Sequence, residues 1–250
     1  MWMLYALLTI LLLPTAMVIA LYASRIRFSR GIVARTVPAQ HSPPRCRRTI
    51  VIAGDSTAFG VGALPEETTA GRLAAAFPHA RVINVSRSGA RIGHVVHQLA
   101  RVVEQLARVG CRRVDFVLIH ACANDVGEFR SPKVFEADLR AAIAVARELS
   151  DNVVLMPGQN FGAAPFFLRG LSHIITRHAM RLHAIVERVT AELGVTFVDL
   201  FRDPSEDPFV KEPQRYYCAD GLHPSGEGYG IWFTALMGAV PLKTFLGADR

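Results

Sequence analysis

The stretch Thr49-Ile50-Val51-Ile52-Ala53-Gly54-Asp55-Ser56-Thr57 decides the fold. Residues 49–53 form a short, apolar, largely β-branched run, the composition of a strand buried on both faces. It stops at once on Gly-Asp-Ser, residues that turn a chain and can cap a following helix. A buried strand that runs into a polar turn and then a helix is the repeating unit of α/β proteins.

Downstream, the unit recurs. Residues 66–77 read as a helix ended by Pro78, and 81–85 as a second strand. Over 92–109, Val95, Val96, Leu99, Val102, Val103 and Leu106 mark one apolar stripe at helical spacing, closed by Gly110. Residues 114–120 form a third, nearly all-apolar strand. Ser131-Pro132 opens a helix to about residue 149, since proline suits the first helical position. A fourth strand follows at 152–156, then a long helical pattern at 168–193 closed by Gly194, and a fifth strand at 195–200. Ser225 opens a last helix to about residue 237. Five strands alternating with helices predict an α/β fold with a five-stranded parallel sheet covered on both faces. The proline-containing loop 202–219 is long for a compact domain, and such loops are often functional.

Upstream, residues 1–24 contain no charged side chain. A transmembrane helix needs roughly 20 such residues. Trp2, Tyr5 and Tyr22 suit the two interfaces, and membrane helices tolerate a proline such as Pro14. A cleaved signal peptide is the competing reading, with Val18-Ile19-Ala20 as a passable cleavage site, but it expects positive charge before the apolar run and none is present. The organisation expected is thus a transmembrane anchor over 1–24, a basic, proline-containing tether over 25–48, and one domain over 49–250.

The net charge of +7 is local. Arg25, Arg27, Arg30, Arg35, Arg45, Arg47 and Arg48 fall in the tether without an acid among them, and beyond them basic and acidic residues are equal, 21 of each. A nucleic-acid groove would need basic charge on the folded domain, so nucleic acid is not an expected partner. Arginine beside a membrane segment favours the cytoplasmic side and anionic lipid, which tips the domain toward the cytoplasm; an extracytoplasmic domain is the alternative. Cys46, Cys111, Cys122 and Cys218 match no zinc spacing and read as free thiols, with a Cys122–Cys218 disulfide as the alternative.

Four polar clusters directly follow predicted strands: Gly54-Asp55-Ser56, Asn84-Val85-Ser86-Arg87-Ser88-Gly89, Ala121-Cys122-Ala123-Asn124-Asp125 and, past the long loop, Asp220-Gly221-Leu222-His223-Pro224. In a parallel sheet the carboxyl ends of the strands share one edge, so the fold itself gathers these clusters. In this order the four resemble the blocks of the SGNH (GDSL-type) hydrolase family, over residues 49 to about 237. The resemblance implies a three-layer α/β/α sandwich of flavodoxin-like type and an esterase. It implies Ser56 as nucleophile, Asp220 as acid and His223 as base, with an oxyanion hole from the backbone N–H of Ser56, the backbone N–H of Gly89 and the side-chain amide of Asn124. One departure stands out: the glycine that the family places two before the asparagine is Cys122 here.

The residue chemistry supports the same roles. A serine hydroxyl needs a base within hydrogen-bond reach, and histidine titrates near working pH. That histidine needs a partner on its other nitrogen to fix its tautomer, and Asp220, three residues before His223, can supply it across Gly221. No cofactor and no metal is required. His94 and His97 have helical i, i+3 spacing but no accompanying carboxylate or thiol, and His173, His178 and His183 read as surface or core residues. The expected substrate is a small-molecule, lipid or glycan acyl ester. Acyl transfer at the same site and a membrane-tethered, non-catalytic binding domain are the two rival functions. Residues 157–169, with Phe161, Phe166 and Phe167, read either as an acyl wall or as a loop packed on the core.

Overall fold

The computed structural model describes residues 2–246, with the side chains of residues 3–11 excepted. The strands are β1 (Arg48–Gly54), β2 (Ala80–Asn84), β3 (Phe116–His120), β4 (Val153–Leu155) and β5 (Thr196–Phe197). All pair in parallel, in the order β2-β1-β3-β4-β5. The order reverses at β1, so the crevice for a ligand opens beside the carboxyl end of that strand.

The helices are α1 (Trp2–Val33), α2 (Ser56–Phe59), α3 (Thr69–Ala76), α4 (Ile92–Arg108), α5 (Ala123–Gly127), α6 (Pro132–Leu149), α7 (Arg169–Leu193), α8 (Pro208–Lys211), α9 (Pro213–Tyr216), α10 (Gly226–Ala239) and α11 (Leu242–Leu246). Alternation along the strands builds two cores. Val51, Ala53, Val117 and Ile119 face α4, α6 and α7. Ile50, Ile52, Phe116 and Leu118 face α3 and α10, where Tyr229 and Trp232 are buried. The result is helices on both faces of one sheet, as expected.

The third, fourth and fifth strands are shorter than expected, the fifth reduced to Thr196–Phe197, and three segments differ in kind. The helix expected over 66–77 is a 3₁₀ turn, Pro65–Glu67, followed by α3, because the Thr68 hydroxyl accepts the Gly71 N–H and starts a new helix there. The loop 202–219 contains α8 and α9, each begun by a proline. The segment expected as a tether is helical through Val33 and then binds the sheet. His41 pairs with Val82 in antiparallel fashion, and the Gln40 amide exchanges hydrogen bonds with the backbone of Asn84. This covers the open edge of β2, whose backbone groups would otherwise lack partners.

Of the expected transmembrane anchor over 1–24, the side chains of residues 3–11 lie outside the described residues. Among the described residues, no helix is long and apolar enough to cross a membrane.

Candidate active site

Ser56 opens α2 directly after β1. Asp55 caps that helix, accepting the Thr57 N–H at 2.9 Å and its hydroxyl at 2.7 Å. In the first helical turn the backbone N–H groups have no intrahelical acceptor, so the Ser56 N–H is available to a ligand. Gly54 is obligatory: its φ is +155°, and a Cβ would lie 1.9 Å from the His120 carbonyl oxygen. The other carboxylate oxygen of Asp55 accepts the Ala123 N–H at 3.3 Å, tying the turns after β1 and β3 together. Burial pushes the Asp55 carboxyl above its ordinary range, against these hydrogen bonds.

His223 sits across from Ser56, with Nε2 3.0 Å from Oγ. Its Nδ1 is 2.7 Å from Asp220 Oδ2. Asp220 Oδ1 accepts the backbone N–H of Leu222 at 2.8 Å and of His223 at 2.9 Å. The same carboxylate therefore shapes the loop as an Asx-type turn and faces the imidazole. The Cys218 thiol also donates to Oδ1, at 3.2 Å. Burial opposes ionisation of Asp220, but the hydrogen bonds and charge of His223, with the two backbone donors, hold its carboxyl well below the ordinary range. All three residues are buried, at 6–7% exposure, so these contacts act where water screens little.

Asn124, in α5, lines the same cavity as Ser56 and His223. Its Nδ2 donates to the Ala90 carbonyl at 2.9 Å, which leaves its second amide hydrogen free for a ligand. Asp125 accepts the Ile92 N–H at 2.8 Å, so the turns after β2 and β3 are joined twice. Cys122 takes φ +108°, a glycine-type conformation, and thereby presents Asn124 although the residue is not glycine. Gly89 has φ +78° and an open space where a Cβ would stand. It does not line the cavity of Ser56 but a shallower depression on the other side of the Asn124–Ala90 contact.

The cavity beside Ser56 is an apolar slot. It is lined by Cys122 after β3, Pro157 and Gln159 after β4 and Phe201 after β5, and roofed by Phe135 of α6 and Leu182 of α7. Three interstrand spacings separate its ends, roughly 14 Å. A volume of about 90 Å³ over that length makes it narrow. Phe161 lines it, whereas Phe166 packs on Tyr22 and Phe167, ring centroids 5.9 and 5.2 Å apart. His183, read from sequence as a surface or core residue, also lines it, with Nε2 3.6 Å from Asp199. His120 is fully buried beneath the Gly54–Ser56 turn against Trp232, ring centroids 5.1 Å apart. Burial lowers its pKa to about 3. The four cysteines are free thiols.

A model of the GDSL-like lipase/acylhydrolase family matches residues 52–231. No curated protein matches the chain. Among solved structures, a lipolytic G-D-S-L family protein from Veillonella parvula aligns with a TM-score of 0.59 at 17% identity, covering 76% of this chain and 96% of that one. A psychrotrophic esterase from Pseudoalteromonas sp. aligns at 0.55 and 19%, covering 80% of this chain and 100% of that one. An acetylxylan esterase from Geobacillus stearothermophilus aligns at 0.52 and 19%, covering 82% and 96%. These likenesses concern the fold; the family match spans most of the chain, which therefore belongs to the GDSL-like lipase/acylhydrolase family of ester-hydrolysing enzymes.

Proposed function

We propose that the protein cleaves carboxylic esters with an apolar acyl part, through an acyl-enzyme on Ser56. The observation that carries this is the placement of His223 Nε2 3.0 Å from Ser56 Oγ and of its Nδ1 2.7 Å from Asp220. His223 takes the proton of Ser56 as Oγ attacks the acyl carbonyl. The oxyanion is met by the N–H of Ser56 and the amide of Asn124. His223 then gives its proton to the leaving alkoxide. A water, deprotonated by the same imidazole, attacks the acyl-serine and releases the acid. Asp220 stays ionised throughout and stabilises the imidazolium.

The slot across β3–β5 supports a chain rather than an acetyl group. Each methylene that it buries contributes about 0.8 kcal/mol, roughly fourfold in kcat/KM. The test is fluorophosphonate labelling of Ser56 combined with a chain-length series of acyl esters. Labelling lost in Ser56→Ala, with kcat/KM rising by a few-fold per carbon to a plateau, is the expected result. Unchanged hydrolysis in Ser56→Ala would overturn the assignment.

As part of the same reading, the uncharged run over residues 1–24 anchors the chain in a membrane, and the arginines that follow favour a cytoplasmic domain. Protease protection of the domain in intact cells tests this; digestion from outside would reverse the topology.

A further inference from the structure

In the sheet order, β2 lies on one side of the nucleophile strand and β3, β4 and β5 on the other. The apolar slot occupies the second side. On the first side, an open depression of about 360 Å³ lies over the turn between β2 and α4, lined by Arg87, Ser88, Gly89, His94, His97 and Arg101. Its floor is Gln98, whose amide is spent on both backbone groups of Gly54, two residues before Ser56. Its wall toward the slot is Gly89-Ala90, and the Ala90 carbonyl holds Asn124.

The charge of this depression is one-sided. No carboxylate lines it. Among the described residues, Arg87 and Arg101 have no ion pair or side-chain hydrogen bond, whereas Arg140 and Arg147 of α6, Arg188 of α7 and Arg215 of α9 are paired with acids or carbonyls. Two guanidiniums and two imidazoles lining one depression are suited to an oxyanion, which a guanidinium grips through two parallel N–H donors.

We propose that this depression binds an anionic group, phosphate or carboxylate, on the alcohol side of the ester. The preferred substrate is then an amphiphile laid along the sheet edge, its acyl chain over β3–β5, its carbonyl at Ser56 and its charged head over β2. The inference rests on Ser56 being the reacting residue. The test compares three esters of one acyl chain on the full-length enzyme: a glycerol phosphate ester, a carboxylate-bearing ester and a neutral glycerol ester. Wild type is expected to favour at least one anionic ester on the order of tenfold in kcat/KM, through KM, and to lose the preference in high salt. Arg87→Gln with Arg101→Gln is expected to bring the ratio near one while neutral-ester hydrolysis stays unchanged. The phosphate and carboxylate arms identify which head is read. No preference in wild type, or a preference that survives the double variant, overturns the proposal. Hydrolysis of the neutral ester by Ser56→Ala would instead overturn the reading beneath it.

A separate set of contacts carries a second inference. The Arg25 guanidinium of α1 donates to the carbonyls of Pro165, at 3.2 Å, and of Phe166, and lies 6.0 Å from the centre of the Phe166 ring. The Tyr22 hydroxyl accepts the Leu168 N–H at 2.9 Å. On its far side this segment donates the Phe166 N–H to the Gly221 carbonyl at 3.0 Å. Gly221, at φ +67°, is the bend between Asp220 and His223. The geometry points to Tyr22 and Arg25 as positioning residues that hold the Asp220–His223 loop through residues 165–168. The test is Arg25→Ala and Tyr22→Phe in the full chain in detergent, assayed with the neutral ester. The expected result is a kcat lowered about tenfold with KM unchanged, partial recovery in Arg25→Lys, and an acid limb of kcat/KM moved to lower pH, because a loosened Asp220 supports the imidazolium less. Unchanged kcat and pH limb, or a loss that follows thermal stability alone, overturns it. Ser56→Ala again tests the underlying reading separately.

Discussion

Asp220→Asn exposes the logic of the site because the loop dictates how the new amide must sit. Asp220 Oδ1 accepts two backbone N–H groups, from Leu222 and His223, and the Cys218 thiol. An amide nitrogen at that position would face donors with a donor, leaving buried polar groups unpaired at about 1–3 kcal/mol each. The asparagine oxygen must therefore keep the Oδ1 place, which turns the NH₂ group onto His223 Nδ1, where Oδ2 now stands at 2.7 Å. Nδ1 then has to accept, so the proton moves to Nε2, and Nε2 cannot take the proton of Ser56. The expected loss is about 10⁴-fold in kcat, equivalent to about 5 kcal/mol of transition-state stabilisation. The loop bonds survive, so the variant should stay folded, with a lower melting temperature near neutral pH because the ionised carboxylate's contribution is gone. Stopped-flow hydrolysis of a 4-nitrophenyl ester, alongside differential scanning fluorimetry, measures both. The pH dependence adds a second check. Asp220 has its folded-state pKa held below the unfolded value of 3.8, so its contribution is present above about pH 4 and lost as pH falls. Wild type should lose stability on acidification below that point more steeply than Asp220→Asn. A kcat loss under tenfold would refute the tautomer argument.

Three further outcomes follow from other contacts. Asn124→Ala should lower kcat by about 10²–10³ with little change in KM, as the loss of one oxyanion donor does, read from steady-state kinetics. Ala179→Phe narrows the slot from the α7 side and should shift the chain-length optimum to shorter acyl groups while leaving the shortest ester unaffected. Asp125 is buried, with Oδ1 unpartnered among the described residues, and burial, with the charges of Asp55 and Asp138, pushes it up to about 6 against the Ile92 N–H bond. A carboxyl raised in this way contributes most below pH 4 and loses that contribution as pH rises through about 6, so melting temperature should fall between about pH 4 and 6.5, and Asp125→Asn should flatten that fall.

The sheet could be read from the chain because each strand is a buried run ended by turn formers, and strands buried on both faces have few alternatives. The gathering of Ser56, Asn124, Asp220 and His223 followed from topology, since every parallel strand delivers its exit loop to one edge. Other features could not be read in this way. The stripe at Ala179, Leu182 and Val186 has the spacing of any core-facing helix, and periodicity does not distinguish a face that meets side chains from one that meets a cavity. His183 shared that ambiguity. The pairing of Gln40 and His41 with β2 depends on a sheet edge far along the chain, and a local reading of an arginine- and proline-rich segment contains no sign of it. The Gly89 N–H was expected in the oxyanion hole, yet Gly89 lines the basic depression and not the cavity of Ser56.

Cys122 bears on how such chains are recognised and altered. At this position the turn requires a backbone shape, and a side chain has been accommodated there at φ +108° with 5% exposure. A signature that demands glycine would pass over enzymes that solve the turn with a small thiol. In a saturation library, position 122 should accept glycine and reject branched residues, whereas Gly54, walled by a carbonyl at 1.9 Å, should accept nothing else.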